Sequence, residues 1–208
     1  MTQSTSNLLL IFTRNPELGK CKTRLAATTG NQIALDIYNF LLEHTSEITK
    51  GLRAEKYVYY SEEIWEDDIW QAKTYTKKLQ QGIDLGERMR NAFTDGFQKG
   101  FQKIIIIGSD MYDLSEKDIE NAFSMLNDHE FVIGPATDGG YYLLGMKSLE
   151  EKLFSNKAWG TGNVLKHTLE DLRETNYAML EERNDVDVYE DIETVEAFQP
   201  FIKTLKND

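Results

Sequence analysis

Four consecutive isoleucines, Ile104 to Ile107, leave one stretch of this chain without a polar face. Neither side of such a run can look at water, so it fits either a strand buried on both faces or a piece of buried helix. The β-branched side chains and the abrupt stop at Gly108-Ser109 favour the strand. A strand covered on both faces implies a parallel sheet with helices on either side. Its carboxyl end delivers Asp110 to the rim, where open α/β sheets bind ligands. Asp110 is therefore expected at the centre of the site.

The rest of the chain fits that frame. Buried or half-buried strands are expected over Asn7–Thr13, 56–61, 131–134, Tyr141–Met146 and 177–180, and a weakly alternating edge strand over 73–80. Ile33, Ile37, Phe40, Leu41 and Ile48 have the spacing of one helix face over Asn31–Lys50. Further helices are expected over 84–99, from Ser115 with Asp118 three residues on, and over 160–173. The acidic, Trp-containing stretch 62–70 reads as a short helix, and a final helix over 189–198 is expected to be broken by Pro200. Strands alternating with helices predict a single α/β domain over residues 1–208, with a mostly parallel central sheet and helices on both faces.

Composition narrows the function. A net charge of −12 argues against nucleic-acid or anionic-membrane partners, which need a positive field. The single Cys excludes an internal disulfide framework and suits a reducing compartment. The run Leu8 to Phe12 is too short for a signal or membrane segment, so a cytoplasmic protein with no membrane span is expected. Against this acidic background, Arg14, Lys20, Lys22 and Arg24 face only Glu17 in the stretch after the first strand. An acidic chain that concentrates positive charge in one loop suggests a small anion there.

Three places could carry chemistry. In Gly19-Lys20-Cys21-Lys22-Thr23-Arg24, glycine permits close backbone approach, Lys and Arg neutralise phosphate, and a following helix offers free N–H groups. A solvated basic turn is the plainer reading. Cys21 between two lysines could have a lowered pKa, although a small residue in a loop is the simpler view. The second place is the pair Asp110 and Asp187, carboxylates from distant strand ends that suit Mg²⁺, a cation that takes few protein carboxylates. Strand-end Asp residues are often only helix caps, which fits Asp113 and Asp191 better. The third is Gly134 to Tyr142, where Asp138-Gly139-Gly140 is either an ordinary turn or a place where paired glycines admit a sugar with Asp138 holding a hydroxyl. Trp159 is either a core plug or a stacking platform. His44, His129 and His167 have no metal-ligand spacing.

Taken in order, several motifs together resemble a known family. They are Lys22-Thr23-Arg24-Leu25, Asp84-Leu85-Gly86-Glu87-Arg88-Met89, Gly108-Ser109-Asp110, Gly134-Pro135 through Asp138-Gly139-Gly140-Tyr141, Trp159, and Asp185-Val186-Asp187 with Glu190-Asp191-Ile192. The chain resembles the bacterial transferases of the nucleotide-diphospho-sugar transferase superfamily often encoded near radical-SAM/selenodomain proteins. That resemblance implies a GT-A-type fold, an enzyme, and a nucleotide or nucleotide-sugar with a small-molecule acceptor as its partners. It implies that Lys22 and Arg24 contact phosphates, and with the local charge of the stretch the expected phosphate-binding set is Arg14, Gly19, Lys20, Lys22, Thr23 and Arg24, with Lys22 and Asp110 catalytic. Asp110 and Asp187 would hold Mg²⁺ or Mn²⁺, and Asp138, Gly139, Gly140, Tyr141 and Trp159 would serve the acceptor or sugar. The family usually shows Asp-Cys-Pro where this chain has Asp110-Met111-Tyr112, which changes the turn after the metal ligand because Pro fixes φ and Tyr does not. The expected activity is metal-dependent transfer from a nucleotide-sugar. The alternatives are nucleotidyl transfer from a nucleoside triphosphate to a phosphorylated acceptor, and a nucleotide-binding module without turnover.

Overall fold

The computed structural model describes residues 6–205. Its strands are β1 (Asn7–Thr13), β2 (Glu55–Tyr60), β3 (Thr76–Leu79), β4 (Lys103–Ile107), β5 (Phe131–Pro135), β6 (Tyr141–Met146) and β7 (Tyr177–Met179). They form one sheet in the order β3-β2-β1-β4-β6-β5-β7. The β1–β2, β1–β4, β2–β3 and β5–β7 pairings are parallel, and β6 runs antiparallel to both β4 and β5. The isoleucine run is β4, between β1 and β6, and Ile104 to Ile107 are at most 4% exposed. Each such side chain contributes about 1.5–3 kcal/mol of transfer free energy, which holds the strand in the middle of the sheet.

Alternate residues feed two cores. Leu9, Ile11, Ile105 and Ile107 pack on one face with residues of α2 (Asn31–Lys50) and α4 (Glu116–Met125). Leu8, Leu10, Ile104 and Ile106 pack on the other with α3 (Leu85–Gln98) and the end of α5 (Val164–Leu172). A third cluster joins α1 (Thr23–Thr29), α2 and the C-terminal helix α6 (Gln199–Leu205). The mostly parallel sheet with helices on both faces is therefore as expected, with β6 the reversed strand.

Helix α3 begins where the sequence puts it, because Asp84 accepts the Glu87 N–H at 2.8 Å. At α4, Ser115 and Asp118 form a reciprocal capping box. Two expected helices are absent. Residues 62–70 form bends, because Lys77 Nζ donates to the carbonyls of Trp65 and Glu66 and to Asp68, and Asp68 also accepts from Tyr60. These side-chain bonds take carbonyls that a helix would use. The segment 189–198 holds two short 3₁₀ turns, Tyr189–Asp191 and Glu196–Phe198. Pro200 lies in the first turn of α6 and so starts a helix where it was expected to stop one. The expected helix 160–173 begins only at Val164.

No helix among the described residues is long and apolar enough to cross a membrane.

Candidate functional site

Two strand exits are tied together under the site. Tyr38 of α2 sends its hydroxyl to the meeting point, where it lies 3.2 Å from Ser109 Oγ and 3.3 Å from Thr13 Oγ1 and accepts the Arg14 N–H at 2.9 Å. Ser109 Oγ donates to Thr13 Oγ1 at 3.1 Å. Asn15 extends the tie to the end of β2 by donating to the Glu63 carbonyl at 2.8 Å. Buried polar groups that are satisfied in this way fix backbone positions firmly. They place the basic loop and Asp110 side by side.

The loop after β1 then turns Lys22 inward. Its backbone is left-handed, with φ 48° and ψ 46°, a conformation uncommon for a residue with a side chain. The side chain is only 6% exposed, and Nζ donates to Asp110 Oδ2 at 2.8 Å. Burial lowers the ammonium's pKa, but the Asp110 carboxylate more than offsets it, with smaller help from Asp187 and Asp185, so Lys22 stays charged with its pKa raised. Arg24 takes another course. It is 72% exposed and donates to Asp187 Oδ2 at 2.8 Å. Lys20 pairs with Glu17 and Glu62 at the surface. Cys21 is buried, and burial pushes its thiol pKa up rather than down, against the lowering that the flanking lysines suggested.

The segment Asp185-Val186-Asp187 runs beside Asp110, with Val186 N–H donating to the Asp110 carbonyl at 3.3 Å. Asp191 holds this segment by accepting the N–H groups of Asp187 and Val188 at 2.8 and 2.7 Å, the capping role expected of it. Asp113 is not a cap; it pairs with Arg183, which also reaches Asp118. Val186 is buried, and the carboxylates on either side of it are half-buried. Asp187 borders the space above the basic loop, while Asp185 borders a different space beyond Asp110. Burial and then the charge on Asp110 push the Asp185 carboxyl up to about 6. From the sequence, Asp187 was the expected ligand and Asp185 had no expected role. The signal that could have found it is the two-residue spacing, which puts both side chains on one side of an extended segment.

Two compartments therefore meet over Asp110. One, of about 580 Å³, is lined by Arg14, Lys20, Lys22, Thr23 and Arg88 together with Asp110 and Asp187. The other, of about 240 Å³, lies under Trp159, Tyr141 and Met89 with Asp138, Gly140 and Asp185 at its edge. Asp110, Gly108, Phe12 and Leu85 border both. Trp159 is thus an exposed-edge wall of the second compartment, packed so tightly on α3 that a Cβ on Gly86 would sit 2.5 Å from its Nε1. Gly139 does not line the cavity: with φ +85° it abuts Gly162, where a Cβ would lie 2.2 Å from a carbonyl oxygen. It closes the loop that Asp138 and Gly140 present to the cavity. Gly19 and Arg24 also lie outside both linings.

Met111 and Tyr112 replace the turn-fixing proline with packing. Met111 is buried and lines the second compartment. The Tyr112 ring lies 5.7 Å from Phe40, 5.0 Å from Phe198 and 5.2 Å from His44.

Among the described residues, no three His, Cys, Asp or Glu side chains converge as a complete metal cage. The donor set still suits a hard cation with few protein ligands. Asp110 and Asp187 would supply the carboxylate oxygens, each of which now pairs with a cation, Lys22 and Arg24, and the charge of Asp110 burdens Asp185, a repulsion that a bound cation would relieve.

The fold is that of the nucleotide-diphospho-sugar transferase superfamily. The chain superposes on a Desulfovibrio desulfuricans G20 protein, described provisionally as a nucleotide-diphospho-sugar transferase, with TM-score 0.87, 27% identity, and 98% and 96% of the two chains covered. It shares its fold with a cytidylyltransferase from Leptospira borgpetersenii serovar Hardjo-bovis strain JB197 (TM-score 0.62, 18% identity, 98% and 94% covered). It likewise shares it with a 4-diphosphocytidyl-2C-methyl-D-erythritol synthase (TM-score 0.61, 13% identity, 96% and 100% covered). None of the curated proteins matches the chain in sequence. The protein belongs to the bacterial family DUF2064, described as "Uncharacterized protein conserved in bacteria", whose profile matches residues 45–161. That segment contains Asp110, Asp138 and Trp159, and the basic loop and Asp187 lie on either side of it.

Proposed function

We propose that the protein is a divalent-metal-dependent transferase that uses a nucleotide-sugar donor, with the donor's phosphates over the basic loop. The observation that carries this reading is Lys22, a cation of the first compartment held nearly out of water against Asp110, which borders both. A buried ammonium already paired with a carboxylate is preorganised to meet negative charge as it develops on a departing phosphate. In glycosyl transfer a nucleophile of the acceptor bonds to the sugar's anomeric carbon and loses its proton, while the carbon–oxygen bond to the diphosphate breaks. Lys22, with Arg14 and Lys20 nearby, would stabilise the leaving nucleoside diphosphate. Asp110 and Asp187 would hold Mg²⁺ or Mn²⁺, which when bound neutralises phosphate charge.

One observation favours a second reading, nucleotidyl transfer. Arg14 and Arg88 border the same compartment without a carboxylate partner among the described residues, Arg88 donating instead to the Gly82 carbonyl and Gln80. This surplus of positive charge suits a triphosphate. In that reaction the acceptor bonds to the α-phosphorus and pyrophosphate leaves.

Lys22→Ala tests both readings. Charge-assisted bonds are worth about 1.5–3 kcal/mol, so calorimetry at low salt should show about 10- to 100-fold weaker binding of the nucleotide that wild type prefers from a panel of nucleoside di- and triphosphates. Equal affinity in the two proteins would remove the loop from the site. Assaying nucleoside diphosphate and pyrophosphate with a panel of sugars and nucleotides separates glycosyl transfer, nucleotidyl transfer and binding without turnover.

A further inference from the structure

The second compartment says what kind of molecule shares the site with the nucleotide. Its walls are apolar and aromatic, with Phe12, Met89, Met111, Tyr141 and Trp159 the large contributors. Its polar side chains include three carboxylates, Asp110, Asp138 and Asp185, and it has no Lys, Arg or His in its lining. The first compartment, a few ångströms of backbone away across Gly108 and Asp110, holds four such cations. Cations bonded to residues in or beside this lining are committed: Lys22 to Asp110, Arg24 to Asp187 and Arg183 to Asp113 and Asp118.

An anionic group placed here would lose its hydration against apolar walls and meet the carboxylates of Asp138 and Asp185, since only Asp110 is neutralised, by Lys22 from the other compartment. A hydroxyl or amine has the opposite experience. It donates to the carboxylates, and its carbon body covers the indole and phenol rings, which accept apolar, sugar-face or cationic contacts. We infer that the compartment beside Trp159 takes an uncharged or cationic small molecule, an alcohol, polyol or amine with an apolar face, and rejects phosphorylated compounds. This rests on the transferase reading only for the name acceptor or transferred sugar. The selection between ligand charges follows from the lining alone. It rules against the phosphorylated acceptor that nucleotidyl transfer would otherwise allow.

The experiment is a titration of the Trp159 indole N–H resonance, assigned with Trp159→Phe, in metal-free, nucleotide-free protein. Two matched sets serve as probes: benzyl alcohol, benzylamine and benzyl phosphate, and glucose, glucosamine and glucose 6-phosphate. The alcohol and amine of at least one set should shift the resonance, and the phosphate should bind about tenfold more weakly or worse, a difference of about 1.4 kcal/mol. Asp138→Asn, whose side chain is exposed and whose loss should not unfold the loop, should narrow that gap. A phosphate member that binds as tightly as its alcohol, or a resonance that no probe moves, overturns the inference. Failure of the transferase reading shows elsewhere, in nucleotide calorimetry that does not depend on Lys22, so the two failures are distinguishable.

Discussion

The two compartments are built from the same sheet rim and differ in nearly everything else. The basic side carries four cations, Arg88 on α3 and Arg14, Lys20 and Lys22 on a loop whose start is fixed by hydrogen bonds among Thr13, Tyr38 and Ser109. The other side carries no cation and is shaped by close contacts, Gly86 against Trp159 and Gly139 against Gly162. One is organised by charge and the other by fit, so they should fail differently. Charge substitutions should act on the first through affinity, and size substitutions should act on the second through position. Asp110, which borders both, is where the distinction breaks down.

Asp110→Asn is therefore the change with the largest expected effect. Loss of metal-assisted charge stabilisation costs several kcal/mol in the transition state, and at about 1.4 kcal/mol per tenfold the rate should fall on the order of a hundredfold or more. The Mn²⁺-dependent rise in melting temperature should vanish in Asp110→Asn and in Asp187→Asn, since a cation that binds only the folded state stabilises it. The double variant should be little worse than either alone. A melting shift that survives both substitutions would place the metal elsewhere.

Gly86→Ala should have a smaller effect, confined to one compartment. The added Cβ would meet Trp159 Nε1 at 2.5 Å and the Phe154 carbonyl at 2.6 Å, so the indole has to move. Overpacking of this kind costs about 1–3 kcal/mol. Melting should fall by several degrees, and Trp159-reported ligand binding should weaken while nucleotide affinity stays at the wild-type value. Parallel losses in both affinities would mean that the compartments are one mechanical unit and the contrast is false.

The same division explains what the sequence revealed. Where burial dictates conformation it was legible: Ile104 to Ile107 read better as a buried strand than as a buried helix and are the central strand, with Asp110 following at the rim. The reversal of β6 was legible in the short connection 136–140, which is too short for a parallel crossover, but the apolar run itself carried no sign of it. The helix expected over 62–70 failed for a reason outside the segment, since Lys77, on β3, takes its carbonyls. Pro200 was misread because a proline both ends one helix and opens another, and only packing decides. At the site, the basic loop and Asp138 were visible as local composition. Asp185 was not, because its role depends on burial beside Asp110, a neighbour 75 positions earlier in the chain.

Asp185 gives the smallest effect and the sharpest check on how charge is distributed between the two sides. Its carboxyl titrates at about 6 in the folded protein against an ordinary 3.8, first because it is buried and next because Asp110 and Asp138 are close. A raised carboxyl pKa means that the folded state binds the proton more tightly than the unfolded chain does. The ionised group is then a cost, fully present above pH 6 and relieved as pH falls toward 4. Asp185→Asn removes that cost. The group remains partly in contact with water, so solvent screening reduces the gain to about 1 kcal/mol, roughly 2–4 °C in a chain of this size. The variant should melt higher than wild type at pH 8 in the absence of metal, and the difference should shrink toward pH 4. Mn²⁺ should narrow the gap at pH 8 as well, because a cation bound by Asp110 cancels the charge that burdens Asp185. A variant that melts lower than wild type at pH 8 would show that Asp185 is held by favourable partners and is not the strained member of the rim.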